Sequence, residues 1–157
     1  MGRKLIRFIP ALVWMGIIYW LSDRPAWESS LQSGGITLKS IMLIPGAADL
    51  SEAGRQDLAL VLEPLIRDTA HVAEYVILFA AVFFAVGAFS CGDKKRALIS
   101  LFICFLYACT DEWHQGSVPG RAVQLSDIAF DTAGAAASMA FLLFLKAGKN
   151  GIKKDRG

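Results

Sequence analysis

Apolar positions along this chain fall in blocks, not in the alternation of strands or the single stripe of a soluble helix. The first block is residues 5–21, "LIRFIPALVWMGIIYWL", broken only by Arg7. The second is 72–89, "VAEYVILFAAVFFAVGAF", with Glu74 and Tyr75 near its start. The third, "ALISLFICFLYACT", is short and borrows the following "DEWHQ" to reach an interface, giving a span over 97–115. The fourth is 125–145, with Asp127 and Asp131 in its first two turns. A helix needs about 20 residues to cross the hydrocarbon core, and backbone polar groups in lipid must pair within their own segment. The pattern predicts an all-α fold, an integral membrane four-helix bundle forming one domain over residues 1–157.

Between the first two spans, residues 22–70 form a predicted loop that is too long to be structureless. Within it "ITLKSIMLI", 36–44, is apolar but too short to span, and predicts a short interfacial or re-entrant helix. "DLALVLEPLIRD" predicts helix up to Pro64, with Pro64 in the first turn of a long helix that continues as the second span.

Composition supports the membrane reading: 55% of residues are hydrophobic. Charge adds a direction. Arg3, Lys4 and Arg7 open the first span; Lys94, Lys95 and Arg96 join the second to the third; Lys146, Lys149, Lys153, Lys154 and Arg156 follow the fourth. The acids gather at the opposite ends. Positive charge stays cytoplasmic, so both termini are expected inside and loop 22–70 outside. "YWLSDRPAW" has large residues where a signal peptidase needs small ones, so the first block reads as an anchor. Trp14, Tyr19, Trp20, Trp27 and Trp113 are expected at the outer boundary. The basic residues are dispersed, which argues against nucleic-acid binding, and "KAGKNGIKKDRG" reads as a disordered tail. Cys91, Cys104 and Cys109 lack metal or redox spacing and read as packing residues.

This orientation brings polar groups from four helix ends to one depth. His71, Glu74 and Tyr75 share a face at i, i+3 and i+4; so do Asp127 and Asp131. Asp111, His114 and Gln115 share another, with Glu112 about 100° away. Ser22, Asp23 and Arg24 close the first span at the same level. A charged group facing lipid in mid-membrane costs roughly 2.5–3.5 kcal/mol, so the acids should turn inward, toward His71, Arg121 or water. Plainer readings stand beside this one. Asp127 could serve only the helix dipole, "SVPGR" could be a solvated Pro-Gly turn, and His71 could be a core histidine.

Two stretches resemble the VanZ-like family of small bacterial membrane proteins. "DEWHQGSVPGRAVQLSDIAFDTAGAAAS" resembles its D-E-x-H-Q, P-G-R and D-x-x-x-D/N-x-x-G pattern, and "RDTAHVAEYVIL" its second-span H-x-x-x-Y-x-x-L pattern. Carried over, the matching residues are Asp111, Glu112, His114, Gln115, Pro119, Gly120, Arg121, Asp127, Asp131 and Gly134, with Ser22, His71, Glu74 and Tyr75. One departure is that Asp68 stands where members often have Lys, with Arg67 one step earlier. The resemblance implies a multi-pass protein of the bacterial inner membrane and a link to teicoplanin-type glycopeptide resistance.

The ligand-binding candidates are therefore Ser22, Arg67, His71, Glu74, Tyr75, Asp111, Glu112, His114, Gln115, Arg121, Asp127 and Asp131. The first expectation is an outward-facing polar pocket for a lipid-linked cell-wall precursor or a lipoglycopeptide. Arg121 and Arg67 would engage its phosphate or carboxylate. The alternative is an intramembrane hydrolase or transferase using His71, Asp111, Glu112, His114, Asp127 or Asp131 as acid, base or metal ligand. A transporter is less favoured, since no inverted repeat is visible. The sequence leaves the cofactor unknown.

Overall fold

The structure, a computed structural model, describes residues 2–154, with side chains for 4–147. The side chains of Arg3, Lys149, Lys153 and Lys154, and all of Arg156, lie outside the described residues. Helix α1 (Gly2–Leu5) passes through a 3₁₀ turn (Ile6–Phe8) into α2 (Ile9–Ser22), whose start carries Pro10, where no intrahelical donor is needed. Then follow α3 (Ala26–Ile41), a 3₁₀ turn (Ala47–Asp49), α4 (Glu52–Val86), α5 (Asp93–Gln115) and α6 (Leu125–Lys154). All the regular structure among the described residues is helical, as the apolar blocks predict.

By length and composition, two described helices can cross a membrane: α4 and the Leu125–Ala147 part of α6. The Ile6–Ser22 and Ala26–Ile41 pair, bent by 103°, brings this to as many as three. Helix α5 is long enough at 23 residues. Its ends, "DKKR" and "TDEWHQ", leave too little uninterrupted apolar sequence for it to join them.

The predicted loop 22–70 is mostly helix. Helix α3 turns sharply off α2 after Pro25, and "ITLKSIMLI" is not a separate element: Ile36–Ile41 ends α3 and Met42–Ile44 leads out of it. Helix α4 starts earlier than expected, at a Ser51 cap whose Oγ accepts the Gly54 N–H at 3.1 Å. Pro64 therefore lies inside the helix and not in its first turn. It sits on an exposed face, where water can satisfy the carbonyl it leaves free. Helix α6 continues to Lys154, through most of the stretch read as a tail.

The core runs between α4, α5 and α6, with α2 packed alongside: Ile18, Tyr75, Leu78, Phe79, Cys104, Ala108 and Ala135 are fully buried. Pairing of α4 with α6 is the most extensive. Gly134 makes it possible, because a Cβ there would stand 2.4 Å from the Val72 carbonyl oxygen. The cysteines are all free.

The two ends of the bundle differ in charge. At one end the Arg7 guanidinium donates to the Gly87 carbonyl, Arg96 donates to the Phe83 carbonyl and lies 3.8 Å over its ring, and Lys146 pairs with Asp93. At the other end stand Ser22, Asp111, Glu112, Gln115, Asp127 and Asp131, all buried. Trp20, Trp27, Tyr19 and Trp113 are exposed at that end. Trp14 is not among them: its indole N–H reaches the Glu74 carbonyl at 2.8 Å inside the bundle.

Candidate functional site

The stretch joining α5 to α6 aims its charges by backbone geometry. Arg121 N donates to Val118 O at 3.1 Å, and Gly120 has φ +78°. With Pro119 before it, this is a type II turn: Pro supplies the first corner and only Gly takes the second without strain. Ala26 N donates to Pro119 O at 3.2 Å, which docks the turn on the start of α3. The Pro-Gly turn expected as a plain alternative thus exists, but it sends Arg121 back into the bundle. There Arg121 Nη1 donates to Gln115 Oε1 at 2.7 Å.

Gln115 passes the contact inward. Its Nε2 donates to Asp111 Oδ2 at 3.1 Å and to Ser22 Oγ at 3.3 Å, and Ser22 Oγ donates to the same Asp111 oxygen at 2.9 Å. The i, i+4 spacing of Asp111 and Gln115 puts both on the interior of α5. One relay therefore ties the turn, α5 and α2 together. Glu112 also faces the interior, where its carboxylate accepts the Gln124 N–H and covers the start of α6.

Deeper in, α4 and α6 face each other. His71 Nδ1 stands 3.5 Å from Asp131 Oδ1, within ion-pair range but longer than an ordinary hydrogen bond. Neither atom has another partner, and neither does the buried Tyr75 hydroxyl or Asp111 Oδ1. Asp127 lies in the first turn of α6, as its helix-dipole reading requires, and accepts from Ser126 Oγ at 3.1 Å. It also lines the cleft described next.

Two adjoining cavities open beside this network, of about 280 and 150 Å³. They share Ser29, Ser33, Arg67, His71 and Arg121, so they form one cleft between α3, α4 and the turn. The larger part is polar and adds Glu63, Gln115, Gln124 and Asp127. The smaller adds Leu21, Ile36, Ile66, Ala70 and Glu74. Arg121 is half-buried in this wall, and among the described residues it forms no ion pair. Burial is the main cause lowering its pKa, and the neighbouring Arg67 charge adds to it. It remains a cation, repelled by Arg67 across the same space and attracted by the charges of Asp111, Glu112 and Asp127.

A family model described as VanZ/LLP1 matches residues 8–146. The chain belongs to this family. No curated protein and no solved structure matches it. The VanZ/LLP1 match contains the whole cleft and both helices long and apolar enough to span, and together these mark the chain as a membrane protein.

Within this VanZ/LLP1 fold, most of the predicted site residues converge. Ser22, Arg67, His71, Glu74, Gln115, Arg121 and Asp127 line the cleft, while Asp111 and Asp131 support it from behind. Tyr75 is buried in the core below. His114 does not join them. Its ring stacks on Tyr19, with centroids 4.4 Å apart, and Nε2 meets Asp23 Oδ1 at 3.2 Å in a separate groove between α2 and α5. The physical reason is the helix register: one residue short of Gln115, His114 is rotated off the interior face. Ser29, Ser33 and Glu63 were not anticipated as cleft residues. Their signal lies in the polar run "ESSLQS" and in Glu63 just before Pro64, both inside the stretch read as a loop. Among the described residues no group of three or more His, Cys, Asp or Glu could hold a metal ion, so the mixed metal ligands weighed from sequence are not assembled.

Proposed function

We propose that this VanZ/LLP1 chain is a four-span protein of the bacterial inner membrane whose cleft opens outward and binds the anionic head of a lipid-linked or amphipathic molecule at the outer leaflet. The spans would be α1–α2, the second half of α4, α5 and α6, with Lys94–Arg96, Lys146 and both termini on the cytoplasmic side. One observation carries the ligand reading: Arg121 is half-buried, held only by the neutral Gln115, and shares the cleft with Arg67. A half-buried guanidinium whose one side-chain hydrogen bond goes to a neutral amide is a ready donor to a bidentate oxyanion. Such a ligand fits protection against teicoplanin-type lipoglycopeptides, which act on lipid-linked precursors at that leaflet.

Arg121→Ala should abolish protection in a host that the wild type protects, with unchanged amounts of protein in the membrane fraction. Unaltered susceptibility overturns the proposal.

A second reading is supported by His71, which lines both parts of the cleft with Asp131 behind it. That pair could act as an oriented general base on a lipid head group or cell-wall precursor. Under this reading Asp131→Asn stops turnover of a bound lipid while binding persists. Under simple binding there is no turnover to lose.

A further inference from the structure

The two parts of the cleft differ in a way that selects a ligand. The larger is bounded by hydroxyl, amide and guanidinium groups: Ser29, Ser33, Gln115, Arg67 and Arg121. The smaller shares Arg67 and Arg121 and adds apolar side chains from three helices, Leu21 of α2, Ile36 of α3 and Ile66 of α4, beside the polar Arg24 and Gln32. Ile36 is 57% exposed, so this apolar part opens onto the outer surface of the bundle.

The polar part also restricts the head group. Arg67 comes from α4 and Arg121 from the turn, so donors approach from two walls, with serine hydroxyls from α3 on a third. A planar carboxylate offers two oxygens with all their lone pairs in one plane, and a single guanidinium fork can engage both oxygens. A phosphate offers oxygens in several directions and matches donors that converge from separate elements. Acids stand close to these cations: Arg67 Nε lies 3.9 Å from Asp68 Oδ1, while Glu63 accepts from Ser33 Oγ at 2.7 Å and Asp127 accepts from Ser126. Arg121 itself forms no ion pair among the described residues.

We infer that the cleft takes a phosphate-bearing lipid, with its phosphate between Arg67 and Arg121 and the first part of its chain along Leu21, Ile36 and Ile66. This rests on the reading of the cleft as an amphiphile site and names the class of amphiphile. The carboxylates of Glu63 and Asp127 are left to meet hydroxyl or amine groups next to the phosphate.

The test uses the purified full chain in nanodiscs and compares four probes: a long-chain prenyl monophosphate, the corresponding alcohol, a fatty acid of similar length, and glycerol phosphate. The prenyl phosphate should bind at least about tenfold tighter than each of the others, a difference of about 1.4 kcal/mol. Ile36→Trp, at an exposed position that tolerates the change, should weaken prenyl phosphate about tenfold and leave glycerol phosphate unaltered. Arg67→Ala should weaken both. Equal binding of the fatty acid or alcohol overturns the phosphate assignment while the amphiphile reading stands. Equal binding of glycerol phosphate, or an Ile36→Trp variant with undiminished prenyl phosphate binding, overturns the chain path. If none of the amphiphiles binds, the underlying reading fails with it.

Discussion

Glycines decide where the charged groups of the cleft stand, and they do so by different means. At Gly120 the requirement is a positive φ, which turns the chain so that Arg121 points inward. At Gly134 the requirement is space, because the Val72 carbonyl occupies the place of a side chain. Gly134→Ala forces α6 away from α4. Overpacking costs about 1–3 kcal/mol, against a helix-propensity gain of about 1 kcal/mol, so the thermal midpoint in detergent should fall. Gly16→Ala is the matched control, since nothing lies within 4 Å of its position, and it should leave the midpoint level or raise it. Equal shifts for the two would show that helix contact at Gly134 is not what matters. At this scale the sequence was readable where a residue's neighbours lie on its own helix. Asp111 and Gln115 pair as their spacing predicts. Glu112 and His114 depended on what lay across from them, α6 in one case and α2 in the other.

The elements show where apolar patterning misleads. Helix α3 carries Ser29, Ser33 and Thr37 on the side facing α4, with Ile41 its one fully buried apolar residue, so its inner face gives no continuous hydrophobic stripe to read. A segment whose burial is polar looks like a loop from sequence alone. Pro64 misled in the opposite sense: proline is usual in a first turn, but here the Ser51 cap starts the helix 13 residues earlier. The two placements differ in a measurable way. Inside a helix, proline costs about 3 kcal/mol relative to alanine, less whatever the native bend recovers. Pro64→Ala should therefore raise the midpoint of thermal unfolding clearly. At a first turn the same change would be close to neutral, so an unchanged midpoint would place Pro64 at a helix start.

At the scale of the whole molecule, segregated charge is the main feature. Arg7, Arg96 and Lys146 meet at one end, and the buried acids meet at the other. The proposed orientation follows from it and can be checked in intact cells. In a background with Cys91→Ser and Cys109→Ser, Gln56→Cys should react with a membrane-impermeant maleimide directly, and Lys95→Cys only after permeabilisation. The reverse pattern would invert the orientation and turn the cleft toward the cytoplasm.

Composition and local spacing already dictate the all-α class, the apolar helices, the two charged ends and most of the residues that gather at the acidic one. Those depend on composition and on spacing within a single helix, and both are written locally. Only the tertiary structure decided that α3 folds back at 103° to wall a cleft, that Arg121 rests on Gln115 and not on an acid, and that His114 faces another groove. Each of these is set by contacts between segments far apart in the chain: Ala26 with Pro119, Ser22 with Asp111, Ser33 with Glu63. No periodicity in one segment records what another will place against it.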